Sequence, residues 1–416
     1  MSALSEGCPI RLPLHPATSV PITPHLSLPY PILAVAPMVG QCDLPFRTLC
    51  RRHSSNLVYT EMFLAKEFSE SAQYRSDALS RTGVKPEDAP LLVQFASRVP
   101  SEFAAAALLT RELGAWGADL NLGCPQLRAK QGGYGSWLQE ERDLCVALIE
   151  AAVEAAGQDG KFAITVKIRL QETYEDTLAY ATRLKEAGAV MICVHGRQRG
   201  TTDARRDGSA DLESIAKLVE EFKPFPVLSN GNVRCPQDVV DNLMTTKACG
   251  VAVAEEILRN PGLFEEVECL LAGRPGQFEA PHKARRLEML AEYLDVIQEL
   301  DQSQEAPRED GSAWPKGGGG MVRADSMEGF EKARYSNWWP HADVLKQHAR
   351  RIVDTPECGF RDVCKRSTFR KTRYVGEMDA FLRRRMRLRG WREEEVADVL
   401  GEGEEGEEGG ALAFLA

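Results

Sequence analysis

No apolar run in this 416-residue chain approaches the roughly 18 residues needed to cross a bilayer, so neither a spanning helix nor a membrane partner is expected. The first 30 residues lack the apolar core of a secretory signal and the Arg-rich amphipathic pattern of a transit peptide. Secretion is therefore not expected, and the cytoplasm, the nucleus or both are the expected location. The 11 cysteines are scattered singly, with no Cys-x-x-Cys pair and no Cys/His cluster at metal-ligand spacing. That argues against a disulfide framework and against a metal site, and leaves free thiols of which one could be reactive.

Positive charge is also scarce: 51 Lys and Arg stand against 61 Asp and Glu, a net of −10. Taken whole, that is the wrong sign for a nucleic-acid partner. Its distribution reverses the inference. Residues 346–392 hold 15 basic and 5 acidic side chains, a net of +10, whereas 393–408 hold 9 acidic and no basic ones. Residues 1–345 are then left at −11. A polyanion responds to local positive surface and not to the molecular total.

Between residues 31 and 275, short β-branched apolar runs alternate with stretches of helical period. The runs lie at 32–38, 57–62, 90–95, 118–123, 164–169, 191–196, 226–231 and 250–255. Helical spacing is clear at 101–113, 138–156, 177–187 and 212–222. Strands alternating with helices imply a parallel sheet with right-handed crossovers, and eight such units match a (β/α)8 TIM barrel, an α/β fold. The competing open doubly wound sheet would carry Gly-x-Gly-x-x-Gly after its first strand, and none is present. Residues 1–30, with seven prolines up to Pro31, read as an extended lead-in. A smaller helical C-terminal region is expected at 280–300 and 342–395. It is interrupted by a disordered insertion at 301–335 and followed by an acidic tail at 396–416.

Barrel enzymes place their chemistry at the C-terminal ends of the strands. Polar and turn residues gather there: Pro37-Met38-Val39 after the first run, Thr60-Glu61 on the second, Gln94 on the third, and Asn121 to Gln126 on the fourth. They continue with Lys167 and Arg169, His195-Gly196-Arg197, Asn230-Gly231-Asn232, and Ala254-Glu255. Gln94, Lys167 and Asn230 can hydrogen-bond a flat heterocycle, and a buried cation would steady negative charge such as a reduced flavin carries. Backbone amides at Gly231-Asn232 and Ala254-Glu255 stand where barrels bind phosphate. Asn121 and Arg197, on the same rim, are candidate substrate contacts. Gly132, Gly133 and Gly135 suggest a mobile loop beside Cys124.

The ordered series Asn121-Leu122-Gly123-Cys124-Pro125-Gln126, Ala129-Lys130 and Gly132-Gly133-Tyr134-Gly135 resembles the tRNA-dihydrouridine synthases. Val166-Lys167-Ile168-Arg169, Val194-His195-Gly196-Arg197 and Ser229-Asn230-Gly231-Asn232 extend that resemblance over residues 31–272. Residues 250–255, leading into Leu258-Arg259-Asn260-Pro261, look like the eukaryotic branch acting on tRNA positions 16 and 17. The chain departs from that branch at Gly133, where His is common, and in the 301–335 insertion.

The resemblance implies that Pro37, Met38, Val39, Gln94, Lys167, His195, Asn230, Gly231, Asn232, Ala254 and Glu255 bind FMN, and that NADPH or NADH is the reductant. It further implies that flavin N5 delivers hydride to uridine C6 while Cys124 protonates C5. An ordinary thiol is mostly protonated at neutral pH and can serve as general acid. A tRNA partner would present its base by flipping it from the stack, with residues 346–392, including Arg383-Arg384-Arg385, holding its backbone. A monomer is expected. An FMN barrel acting on a free pyrimidine is the alternative within oxidoreductases. A Schiff-base aldolase built on Lys167 and a non-catalytic RNA-binding barrel are the readings from other classes.

Overall fold

The computed structural model describes residues 12, 18–84, 88–200 and 208–274, together with 289, 292, 293, 295, 296, 299 and 300. The expected insertion at 301–335, the helical segment at 342–395, the basic segment at 346–392 and the acidic tail lie outside the described residues. So does most of the lead-in. The chain divides into two compact units: Met1–Glu256 with Leu263–Pro275, and Ile257–Gly262 with Gly276–Ala416.

The first unit opens on a hairpin, β1 (Ser19–Thr23) and β2 (Leu26–Pro29), paired antiparallel. Eight strands follow: β3 (Ile32–Val35), β4 (Leu57–Leu64), β5 (Leu91–Ala96), β6 (Gly117–Leu122), β7 (Ala163–Leu170), β8 (Met191–Gln198), β9 (Val227–Asn230) and β10 (Gly250–Val253). They form a closed parallel barrel in chain order, sealed where β10 pairs with both β9 and β3. All eight expected runs are strands of this barrel. Their near-continuous apolar character reflects burial on both faces, with helices outside and packed side chains within.

The intervening helices start where short polar side chains or proline permit. Asp43, Thr173 and Asp211 cap the helices Leu44–Arg52, Tyr174–Glu186 and Leu212–Phe222 by accepting from the first-turn amides. Proline occupies the first turn of Pro100–Glu112 and Pro236–Thr246, where its missing N–H costs nothing. In the second unit, Met289, Tyr293 and Val296 are helical and buried, at the four- and three-residue spacing expected of an amphipathic helix.

The hairpin corrects the reading of residues 1–30 as a plain lead-in. Val20, Ile22 and Leu28 join one buried cluster with Ile32, Leu57, Ala163 and Met191, the first residues of four barrel strands. The hairpin therefore packs at the N-terminal end of the barrel and shuts it, leaving the opposite end for chemistry. Leu28 is 1% exposed. Leu28→Ala should lower the unfolding free energy by about 2–5 kcal/mol, read from the denaturant midpoint. A loss well under about 1 kcal/mol, the scale of a surface substitution, would show that the hairpin contributes no core.

Candidate active site

Toward their C-terminal ends the inward positions of the strands turn polar. Strand register sets Gln94 of β5 beside Asp119 of β6, Asp119 beside Thr165 of β7, and Asn121 beside Lys167. It continues with Lys167 beside Cys193 of β8, His195 beside Asn230 of β9, and Asn230 beside Ala252 of β10. The fold thus brings Gln94, Asn121, Lys167, His195 and Asn230 to one mouth.

Lys167 is half-buried, and its Nζ donates to Asn230 Oδ1 at 2.9 Å. Asn230 Nδ2 donates in turn to the Ala252 carbonyl at 2.6 Å. Desolvation holds the ammonium below the usual amine range, and the Arg169 guanidinium pushes it the same way. Cys193, Asp119 and Cys124 pull it back up. Of the three donors on an ammonium, Asn230 takes one.

Beyond β6 the chain turns into the loop that carries Cys124. Asn121 Oδ1 accepts from the backbone N–H of Gly123 at 3.1 Å and of Cys124 at 3.0 Å. The Cys124 carbonyl accepts from Ser136 N and Ser136 Oγ, both at 3.0 Å. The Trp137 indole donates to the Pro125 carbonyl at 3.3 Å, and its ring carries Lys130 Nζ at 4.7 Å and Arg199 Cζ at 4.1 Å. Arg199 also donates to the Ser136 carbonyl at 3.1 Å, so the segments after β6 and β8 are fastened together. Among the described cysteines, Cys124 is half-buried, Cys235 is exposed and the other six are buried.

The glycines of this loop sit in close quarters. Gly133 and Gly135 adopt φ of 65° and 67°, in the left-handed region. A Cβ on Gly135 would fall 2.5 Å from the Cys124 carbonyl oxygen, and one on Gly133 would fall 2.7 Å from Arg98 Nη1.

Pro37, Met38 and Val39 follow β3, with Val39 61% exposed, and Gly40 N donates to Glu61 Oε2 on β4 at 2.8 Å. Ala254 and Glu255 follow β10, and Glu255 opens the helix Glu255–Arg259. Two rim side chains are engaged within the fold itself. Asn232, at φ 61°, uses its side chain on Ala210: Oδ1 accepts from Ala210 N at 2.9 Å and Nδ2 donates to Ala210 O at 3.0 Å. Arg197, expected to meet substrate, is buried; it donates through Nη2 to Asn232 Oδ1 at 3.0 Å and through Nε to the Gly208 carbonyl at 2.8 Å. Both side chains hold the segment before Asp211 against β9, which leaves Asn232 its main chain for a ligand. The sequence reading also missed Asp119, fully buried beneath Gln94 and Thr165. The signal that could have found it was a lone acid at an inward position of an apolar run.

This donor set fits a flat heterocycle: a half-buried ammonium between carboxamides on one side, and turn backbone after β9 and β10 for an anionic tail. A free, half-buried thiol, Cys124, stands on the adjoining loop. Among the described residues there is no metal-binding cluster of His, Cys, Asp and Glu, and no helix is long and apolar enough to cross a membrane.

The model of the dihydrouridine synthase family matches residues 34–308. A rat protein named tRNA-dihydrouridine(16/17) synthase [NAD(P)(+)]-like is 41% identical over 266 residues, covering 64% of this chain and 55% of the rat protein. A Saccharomyces cerevisiae protein named tRNA-dihydrouridine(16/17) synthase [NAD(P)(+)] is 36% identical over 277 residues, covering 66% of this chain and 62% of the yeast protein. A mouse protein named tRNA-dihydrouridine(20a/20b) synthase [NAD(P)+]-like is 32% identical over 233 residues, 56% of this chain and 69% of its own length. The chain thus spans a little over half the length of the first two relatives.

Proposed function

From the premise that this chain belongs to the dihydrouridine synthase family, we propose that it reduces uridine in tRNA to 5,6-dihydrouridine, at positions 16 and 17 of the D-loop. FMN is the resident cofactor in this reading and NADPH its reductant. Lys167, Gln94, His195 and Asn230 would hold the ring, while Pro37, Met38, Val39 and the main chain at Gly231, Asn232, Ala254 and Glu255 would hold the remainder. Bound FMN would supply the hydride that adds at uridine C6. Cys124 would deliver the proton to C5 from the opposite face, and the thiolate would recover its proton from solvent. Asn121 would act by holding the loop of that thiol.

The observation that carries this reading is the half-buried Cys124, on a loop whose backbone is hydrogen-bonded to Asn121, beside Lys167 on the rim. A thiol without the cation, or the cation without the thiol, would support a flavin barrel or a Schiff-base enzyme equally well. The test is to incubate the protein with NADPH and either unmodified tRNA or a free pyrimidine, and to quantify the reduced product by mass spectrometry. Dihydrouridine at nucleotides 16 and 17, with no turnover of the free base, is expected. Comparable turnover of the free pyrimidine would replace the tRNA reading with the free-base one.

The basic segment 346–392, outside the described residues, is proposed to hold the tRNA backbone, because residues 1–345 are net negative. Replacing Arg383, Arg384 and Arg385 together with Ala should weaken tRNA binding while NADPH still reduces the flavin. The log–log salt slope should fall by about 0.7–0.9 for each phosphate that is no longer neutralised. An unchanged affinity and slope in binding titrations would assign that role to the barrel mouth alone.

A further inference from the structure

The Gln94 carboxamide lies between polar groups of the next strand. Its Nε2 donates to Asp119 Oδ2 at 2.8 Å, and its Oε1 accepts from Asn121 Nδ2 at 2.8 Å. Asn121 Oδ1 takes the backbone N–H groups of Gly123 and Cys124. The second Asp119 oxygen accepts from the Thr165 hydroxyl at 2.7 Å. Asp119 itself is 0% exposed.

Only one polarity works at each link. A backbone N–H can only donate, so Asn121 must offer its oxygen to the Cys124 loop and turn its amide nitrogen toward Gln94. Gln94 must then offer its oxygen upward and its nitrogen downward. The chain has to end on an acceptor, and an ionised carboxylate accepts without ever donating. Desolvation pushes Asp119 up to about 6, while the bonds from Gln94 and Thr165 and the Lys167 charge hold it down. Its two oxygens accept from Gln94 Nε2 and from the Thr165 hydroxyl, the pattern an ionised carboxylate makes. A satisfied buried network of this kind is stiff, because each member loses its partner if a neighbour turns over.

We propose that Asp119 is a positioning residue: its carboxylate sets the direction of a hydrogen-bond relay through Gln94 and Asn121 that holds the backbone of Cys124 at the barrel mouth. Its consequence for catalysis rests on the reading of Cys124 as the proton donor. The relay itself does not. Asp119 touches neither the loop nor the rim cation through a hydrogen bond, and it acts by denying Gln94 any other orientation.

Hydrogen exchange of the full-length protein as purified, followed by mass spectrometry, tests the relay without tRNA or reductant. Asp119→Leu removes the acceptor at nearly constant volume. Exchange in the peptide carrying Gly123 and Cys124 should rise about tenfold, the scale of one lost hydrogen bond, while peptides from β8 and β9 stay as they were. Asp119→Asn keeps an oxygen for Gln94, and the Thr165 hydroxyl can accept from the new amide, so most of the protection should return. Wild-type exchange at Gly123 and Cys124 in the leucine variant, or exchange as fast in the asparagine variant, would overturn the proposal. Should the leucine variant fail to fold, Gln94→Met breaks the middle link while leaving Asp119 bonded to Thr165. It too should speed exchange there about tenfold, and unchanged exchange would refute the relay. Failure of the wild-type protein to reduce tRNA would sink the proposed function and leave this result standing.

Discussion

Cys124→Ala should retain its flavin and let NADPH reduce it at the wild-type rate, yet form dihydrouridine about 10²–10⁴ times more slowly, the usual cost of losing a general acid. The structure makes this substitution unusually clean. The bonds that shape the loop run through the backbone of Cys124, from Ser136 to its carbonyl and from its N–H to Asn121. Alanine keeps every one of them and removes only the sulfur. Hydride addition at C6 leaves negative charge on the base, which collapses to product only when C5 is protonated, so the defect belongs to the tRNA half-reaction. Stopped-flow reduction by NADPH, followed by quantification of dihydrouridine, separates the two. Near-normal dihydrouridine from the alanine variant would remove Cys124 from the chemistry.

Lys167→Ala should weaken FMN binding about 10–100-fold, the equivalent of a lost charge-assisted hydrogen bond, and should slow flavin reduction in whatever fraction stays bound. Its ammonium is bonded to Asn230 Oδ1, and Asn230 is braced by the Ala252 carbonyl, so the charge is held in place before any ligand arrives. Desolvation holds the Lys167 ammonium below its usual range, so a negative group placed against it would be a favourable partner. Arginine should restore little, because a planar fork cannot occupy the place of a compact ammonium beside Asn230. The flavin content of the purified variant and equilibrium titration with FMN check this. A full complement of FMN with normal reduction would contradict the assignment.

The barrel was legible because its strands are buried on both faces, which leaves a run such as residues 191–196 apolar at every position up to its polar end. The rim was legible for the same reason: His195 or Asn230 stands out against such a run. Where a polar residue points, however, depends on partners that arrive from other strands. Asn232 looks like a ligand, but its positive φ turns its carboxamide onto the Ala210 backbone and into the reach of Arg197. Asp119 lies inside an apolar run, between Ala118 and Leu120, and its meaning comes only from Gln94 and Thr165 on the flanking strands. The hairpin escaped notice because its prolines and short strands suppress any local β signal, and its stability comes from Ile32, Leu57 and Met191 across the barrel end. The glycines beside Cys124 suggest freedom in the sequence, whereas the positive φ of Gly133 and Gly135 and their close approaches to Arg98 and to the Cys124 carbonyl depend on the folded neighbours.

A single anaerobic turnover separates reduction of uridine in tRNA from every other fate of the reduced flavin. The protein is bleached with one equivalent of NADPH, then mixed with tRNA lacking dihydrouridine, and the flavin colour is followed together with the nucleotide composition. Colour should return only with tRNA, and one dihydrouridine should appear, at position 16 or 17, for each flavin reoxidised. A flavin that stays bleached in the presence of tRNA, or that recovers its colour without forming dihydrouridine, would contradict the tRNA reading.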